Sequence, residues 1–291
     1  MLKRKMYDIL LSWKKQSKKE CLLVKGERQV GKTYLIREFG KNEYESFIEI
    51  NFHEQKSLKV IFDGDKSADE IYKRLTANIP NVKLISGKTL IFLDEIQKCA
   101  SARTALKFLA EDGRFDVIAS GSLLGLSYGM DDDKDIEPVE SVPVGYEKSI
   151  MMYSMDFEEF LWAYGYNDET IAYLKKFYDS EKKIPSEINE RFENILREYL
   201  VVGGMPEVVD NFIKFKDFTK VQEIQDKILA SYADDISQHA KGAKKVKVRK
   251  CYDSIPRQLA RENKKFKYSE VEHKATARKY VDSVQWLHDA N

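Results

Sequence analysis

The eight residues Gly26-Glu27-Arg28-Gln29-Val30-Gly31-Lys32-Thr33 satisfy the pattern G-x-x-x-x-G-K-[ST] at every fixed position. The chemistry of that spacing is phosphate binding. Glycines let successive backbone N–H groups point inward at phosphate oxygens, and a following helix adds the partial positive charge of its N-terminus. Lys32 is expected to reach the β- and γ-phosphates, and the Thr33 hydroxyl to hold Mg²⁺. Arg28, Gln29 and Val30 inside the loop, and Tyr34 just after it, complete the candidate nucleotide contacts. Asp94-Glu95 follows about sixty residues later, directly after the apolar run Leu90-Ile91-Phe92-Leu93. A carboxylate at the tip of a buried strand can hold the water shell of Mg²⁺ beside the loop threonine, which makes Asp94 the expected metal residue. Glu95 is then positioned to orient and deprotonate an attacking water. A third polar site, Ser120-Gly121-Ser122, closes a further apolar run. Ser120 or Ser122 would sense the γ-phosphate or orient that water, although a serine before Leu123-Leu124 suits a helix N-cap equally well. Together these residues predict a protein that binds a nucleoside triphosphate.

Such residues work only if strands and helices bring them to one place. Cys21-Leu22-Leu23-Val24 reads as a buried parallel strand, and Thr33 to Glu38 as the first turns of a helix. Phe47 to Phe52 alternates and predicts a second strand, Thr89 to Leu93 a third, Phe115 to Ser120 a fourth and Ser149 to Tyr153 a fifth. Between them, Leu58 to Ala77 reads as helix broken at Asp63-Gly64, and Ala102 to Leu109 as helix. Strands alternating with helices predict a parallel sheet with both faces covered. Ahead of it, Met6, Ile9, Leu10 and Trp13 recur at helical spacing. Tyr128 to Gly145, with Asp131, Asp132, Asp133, Asp135 and Glu137, breaks the rhythm and reads as a solvated acidic loop rather than a metal site. From Asp156 onward the pattern is helical.

Composition sets the outer limits. In 291 residues, 43% hydrophobic and 33% charged content describes a soluble globular chain of two domains, or one with an appendage, and a formal net charge of +1 names no partner. Cys21, Cys99 and Cys251 lack metal-ligand spacing and read as reduced thiols; His53 reads as a strand-end residue. The lysine- and arginine-bearing start is followed by too short an apolar stretch to be a targeting signal, and no run suits a membrane span, so a cytoplasmic location is expected.

The wording Gly26-x-Arg28-Gln29-Val30-Gly31-Lys32-Thr33, then Phe92-Leu93-Asp94-Glu95-Ile96-Gln97, then Ser120-Gly121-Ser122 resembles the prokaryotic AAA-type ATPases whose second part carries the domain of unknown function DUF4143. The resemblance continues through Asp156-Phe157-Glu158-Glu159-Phe160-Leu161 and Gly203-Gly204-Met205-Pro206-Glu207-Val208-Val209 to Val284-Gln285-Trp286-Leu287. It implies ATP rather than GTP, a choice that rests on the resemblance alone because no Asn-Lys-x-Asp-type base-reading motif is present. It also implies that Pro206 lies near the adenine, as in related signal-transducing ATPases, while a plain turn between helices explains the same residues. Members of this family look to have Gly-Arg where this chain has Gly145-Tyr146, which leaves Arg103 and Arg114 as arginine-finger candidates and slow turnover as the expectation. They also look to continue into a nuclease-like domain that no residues here match, so the chain reads as a shortened or naturally short member without nuclease activity.

The C-terminal segment carries Lys241, Lys244, Lys245, Lys247, Arg249 and Lys250. Ser254 to Ala260, Phe266 to Ser269 as a short strand, and a last helix from Thr276 to Asp289 read as the opening of a winged helix without its wing. Weak DNA binding through residues 241–279 is expected from the cluster, with Arg278 and Lys279 as further phosphate contacts; a lid or partner surface is the other use of such a module. The expected architecture is α/β: a P-loop parallel sheet of the AAA type, in the additional-strand class with a catalytic glutamate, over residues 1–155, a helical lid over 156–240 and an incomplete winged-helix module over 241–291. The expected function is an Mg²⁺-dependent ATPase whose nucleotide state moves the lid and module, with self-association as the route by which an arginine would reach a neighbouring subunit. A nucleotide-dependent regulator or DNA-binding switch with negligible turnover is the alternative.

Overall fold

A computed structural model describes residues 2–17, 19–122, 145–240 and 242–289. Five strands, β1 (Cys21–Gly26), β2 (Ser46–Asn51), β3 (Thr89–Asp94), β4 (Asp116–Ser122) and β5 (Glu147–Met151), form one sheet in the order β2-β3-β4-β1-β5. Every neighbouring pair is parallel. β4 stands between the strand that leads into the phosphate loop and the strand that ends in Asp94, which is the additional strand expected from the sequence.

The period of two along each strand divides the core between the two faces. Leu23, Ile91 and Leu93 face one way, into a core with Ile71 and Leu75 of α3 (Ala68–Asn78) and Leu106 of α4 (Ala100–Asp112). Leu22, Val24, Leu90 and Phe92 face the other, against Met6, Leu10 and Trp13 of α1 (Lys5–Lys14) and Leu35 and Phe39 of α2 (Lys32–Glu43). All six residues of β3 are buried, which is why that strand reads as an unbroken apolar run. The expected helix after Leu58 is a 3-10 segment, Lys56–Phe62, followed by α3, with the break where Asp63-Gly64 predicts it.

Five helices follow: α5 (Phe157–Ala163), α6 (Asp168–Asp179), α7 (Ser186–Val202), α8 (Pro206–Phe215) and α9 (Phe218–His239). Phe160, Ile195, Val209, Phe212 and Val221 form the core shared by α5, α7, α8 and α9, with Ile171 of α6 packed against it. α10 (Gly242–Leu259) and α11 (Ala277–Asp289) complete the helical region, held to the end of α9 through Ile236, Ala240, Val248 and Trp286. One expectation is corrected here. Instead of a short strand over Phe266 to Ser269 there is a 3-10 turn, Tyr268–Glu270, and the described residues from 242 to 289 contain no strand. A strand needs a neighbour to hydrogen-bond, and this segment has only helices beside it. Lys244 to Lys250 of the basic cluster and Ser254 to Leu259 are likewise one continuous helix, with Pro256 inside it, while Lys241 lies outside the described residues. The acidic stretch from Asp131 to Glu137 lies outside the described residues. Among those described, the three cysteines are buried and form no disulfide, and no helix is long and apolar enough to cross a membrane.

Candidate nucleotide site

In a parallel sheet every strand delivers its C-terminal end to the same edge, where ligands of such folds bind. The registers Gly26↔Ser122, Leu93↔Ala119 and Asn51↔Asp94 therefore bring the phosphate loop, Ser120 and the acidic pair into one cluster. The loop turns through left-handed backbone at Gln29 (φ 66°) and Gly31 (φ 92°) and delivers Lys32 as the first residue of α2. Among the described residues no side chain caps α2, and its first turn carries no acidic residue. Its N-terminal N–H groups and dipole are thus available to an anion.

Lys32 is 8% exposed, and its Nζ donates to the carbonyls of Gly26 (2.8 Å) and Glu27 (2.5 Å), folding the ammonium over its own loop. Burial lowers its pKa to about 8, against the opposing pull of Glu95, Asp94 and Glu27. The Thr33 hydroxyl donates to Asp94 Oδ2 at 3.1 Å, so the two expected metal residues touch. The Ser120 hydroxyl donates to Asp94 Oδ1, to which the Glu95 N–H also donates at 3.1 Å. Burial raises the Asp94 pKa, and the hydrogen bonds from Ser120 and Thr33 oppose that rise. Thr33 and Asp94 offer only oxygen donors, and few of them. That set fits Mg²⁺, which keeps most of its shell as water and phosphate, better than a cation that needs an all-protein cage. Among the described residues there is no cluster of three or more acidic, histidine or cysteine ligands.

Glu95 adopts left-handed backbone (φ 54°), and its Oε2 accepts a 2.5 Å bond from Gln97 Nε2. Of the two serines, Ser120 meets Asp94, while Ser122 lies at the end of β4 opposite Gly26. The arginine-finger candidates are engaged elsewhere: Arg103 with Glu147 at 3.4 Å, and Arg114 with Asp112 and Asp69.

Beside the loop a cavity of 390 Å³ is lined by Arg4, Gly31, Tyr34, Met152, Pro206 and Asp210, among others. Pro206 opens α8, and a Cβ built on Gly31 would lie 3.7 Å from its Cγ. The elbow expected at Gly203-Gly204 therefore brings the proline onto the phosphate loop. A larger cavity, 570 Å³ between α6 and α7, contains none of these residues.

Sequence reading missed three groups of contacts. Asn51 Nδ2 donates to Asp94 Oδ2 at 3.1 Å; its only sequence signal is a polar residue at a strand end. The outer face of the loop meets one face of α9: Arg28 pairs with buried Asp235, Gln29 Nε2 donates to Ser231 Oγ (3.1 Å), and the Tyr232 hydroxyl donates to the Arg28 carbonyl (3.0 Å). Arg4, unremarkable between two lysines in the sequence, donates to the Val30 carbonyl at 2.9 Å.

Residues 18–161 match the family model of an AAA domain. Residues 193–291 match a domain of unknown function, DUF8612, and not the DUF4143 expected for that part. No curated protein matches the chain. Among solved structures, AMPPCP-bound DnaA from Aquifex aeolicus is 13% identical, with 98% of this chain and 87% of that chain covered and a TM-score of 0.39. The Orc1 protein of Aeropyrum pernix in complex with DNA is 13% identical, with 99% and 82% covered and a TM-score of 0.35. The sheet order, the phosphate loop with its acidic partner strand, and the family match give residues 18–161 a P-loop fold of the AAA type.

Proposed function

We propose that the protein binds ATP with Mg²⁺ at the phosphate loop and hydrolyses it, and that the helices after residue 155 respond to the nucleotide. The observation that carries this reading is the convergence of Lys32, Thr33, Asp94 and Ser120 beside an uncapped helix N-terminus. The loop N–H groups and Lys32 receive the phosphates, while the base enters the cavity between Gly31 and Pro206. Thr33 and Asp94 hold the Mg²⁺, which supplies charge neutralisation at the phosphates when bound. Glu95 accepts the proton of the attacking water, and Ser120 keeps the Asp94 carboxylate in place.

Residues 1–155 are the ATPase core in this reading, 156–240 a lid and 241–291 a partial winged-helix-like module without its strand. What supports a link between core and lid is the contact of Arg28, Gln29 and the loop carbonyl with α9, since any rearrangement of the loop must move or release that helix. The alternative, a nucleotide-dependent switch with negligible turnover, is favoured by Arg103 and Arg114 both being engaged in ion pairs away from the loop. Two variants separate the readings. Lys32→Ala should abolish binding of a fluorescent ATP analogue, and Glu95→Gln should bind it normally while losing turnover. Native binding by Lys32→Ala would exclude the loop as the site, and native turnover by Glu95→Gln would exclude that base.

A further inference from the structure

Arg4 is 6% exposed and stands in extended backbone as the N-cap residue of α1. Its guanidinium reaches two stretches that are distant from it in sequence, the phosphate loop and residues 153–159. Nη1 donates to the Val30 carbonyl at 2.9 Å, Nη2 to the Tyr153 carbonyl at 2.6 Å, and Nε to Glu159 Oε1 at 3.1 Å. Glu159, 4% exposed, is fully occupied in turn. Its Oε1 also accepts the Lys5 N–H at 2.7 Å, and its Oε2 accepts the Asp156 N–H at 3.2 Å. A buried ion pair is tolerated when its remaining polar atoms are satisfied in this way.

The Val30 carbonyl shares a peptide plane with the Gly31 N–H, and no described peptide bond is cis. In a trans peptide the two groups point in opposite directions. A guanidinium that holds the carbonyl outward therefore turns the Gly31 N–H into the loop, toward the phosphate cradle. Gly31 is at φ 92°, a conformation glycine leaves easily unless something holds it. From this geometry we infer that Arg4 is a positioning residue for phosphate binding: it pre-sets the Val30–Gly31 peptide, and Glu159 anchors it to α5. The inference rests on the nucleotide reading above. A lysine cannot replace Arg4, because a compact ammonium lacks the planar fork that reaches three acceptors in fixed directions.

The test compares ADP with adenosine, titrated calorimetrically into the full chain and into Arg4→Lys and Glu159→Gln, with the Gly31 amide followed by NMR. Arg4→Lys should lose about tenfold in ADP affinity, the effect of one misaligned charge-assisted contact. Because Arg4 also lines the cavity assigned to the base, the adenosine comparison is read on Glu159→Gln, which does not line it. Glu159→Gln should lose about threefold in ADP affinity and keep its adenosine affinity, and the Gly31 amide resonance should shift in both variants. If Arg4→Lys does not fold, Glu159→Gln carries the same comparison. Native ADP affinity in the folded variants, or equal loss of ADP and adenosine affinity in Glu159→Gln, would overturn the positioning role. Failure of the unaltered chain to bind ADP would instead overturn the nucleotide reading on which it rests.

Discussion

At the scale of single residues, the site is governed by how burial sets charge. Lys32 is enclosed by its own loop, and burial brings its pKa down to about 8. The bound phosphates favour the ammonium form, so nucleotide binding takes up a proton wherever the free protein has lost it. ATP affinity should therefore be flat below about pH 8 and fall by about tenfold per pH unit above it. Calorimetric titrations from about pH 7 to about pH 10 would show this, with Lys32→Met weak and level throughout as the control. Asp94 shows the opposite case. Burial raises its pKa, and the hydroxyls of Ser120 and Thr33 oppose that rise in favour of the charged form that a cation requires. These two hydroxyls come from different elements, so the carboxylate is tuned by the sheet and the phosphate loop together.

At the scale of elements, two close approaches decide where helices sit. A Cβ on Gly40 of α2 would meet the Phe47 ring at 2.2 Å, so the helix lies on β2 only because that side chain is missing. The elbow between α7 and α8 is set in the same way. Gly203 ends α7 with φ 73°, Gly204 bonds back to Met155 through a 2.7 Å backbone contact, and Pro206 starts α8 at its first position. A Cβ on Gly204 would lie 2.1 Å from the Met155 carbonyl oxygen, which is itself held by the Tyr199 hydroxyl at 2.9 Å. Gly204→Ala should therefore destabilise the protein by about 1–3 kcal/mol. It should also weaken ATP binding, since Pro206 moves with the elbow. Urea unfolding combined with ATP titration checks both effects, and an unchanged midpoint would mean that the elbow yields without strain.

At the scale of the whole molecule, the chain of contacts runs from the phosphate loop to α9, and from α9 through Ile236, Ala240, Val248 and Trp286 to α10 and α11. The basic cluster sits on α10, and part of it is already engaged. Arg249 pairs with Asp253 at 3.0 Å, Lys250 with Glu272 at 2.5 Å, and Lys279 with Glu272 as well. DNA binding by this segment should thus be weak, nearly sequence-independent and carried by lysines on the exposed face of the helix. Lys244→Glu, Lys245→Glu and Lys247→Glu together should remove it and leave ATP affinity intact. Titration of DNA at two salt concentrations is the measurement, because phosphate contacts lose affinity steeply with salt. Equal binding by the triple variant would favour a partner surface in place of DNA.

Much of this was legible along the chain, and for a common reason. The phosphate loop, the acidic pair after β3, and the five strands are written in contiguous residues, because spacing, apolar runs and strand ends are local properties. The short strand expected at Phe266 misleads for the complementary reason, since a strand exists only by pairing and its partner cannot be read from its own residues. Arg4 against Val30, Asn51 against Asp94, Pro206 against Gly31, and Asp235 against Arg28 were decided only by tertiary structure. Each joins residues that the chain separates by a strand or a helix at least. Nothing in a lone arginine among lysines, or an asparagine at a strand end, marks which loop it will meet. Sequence determined that a phosphate loop and its acidic partner are present; packing determined what holds that loop in shape and which helix rests on it.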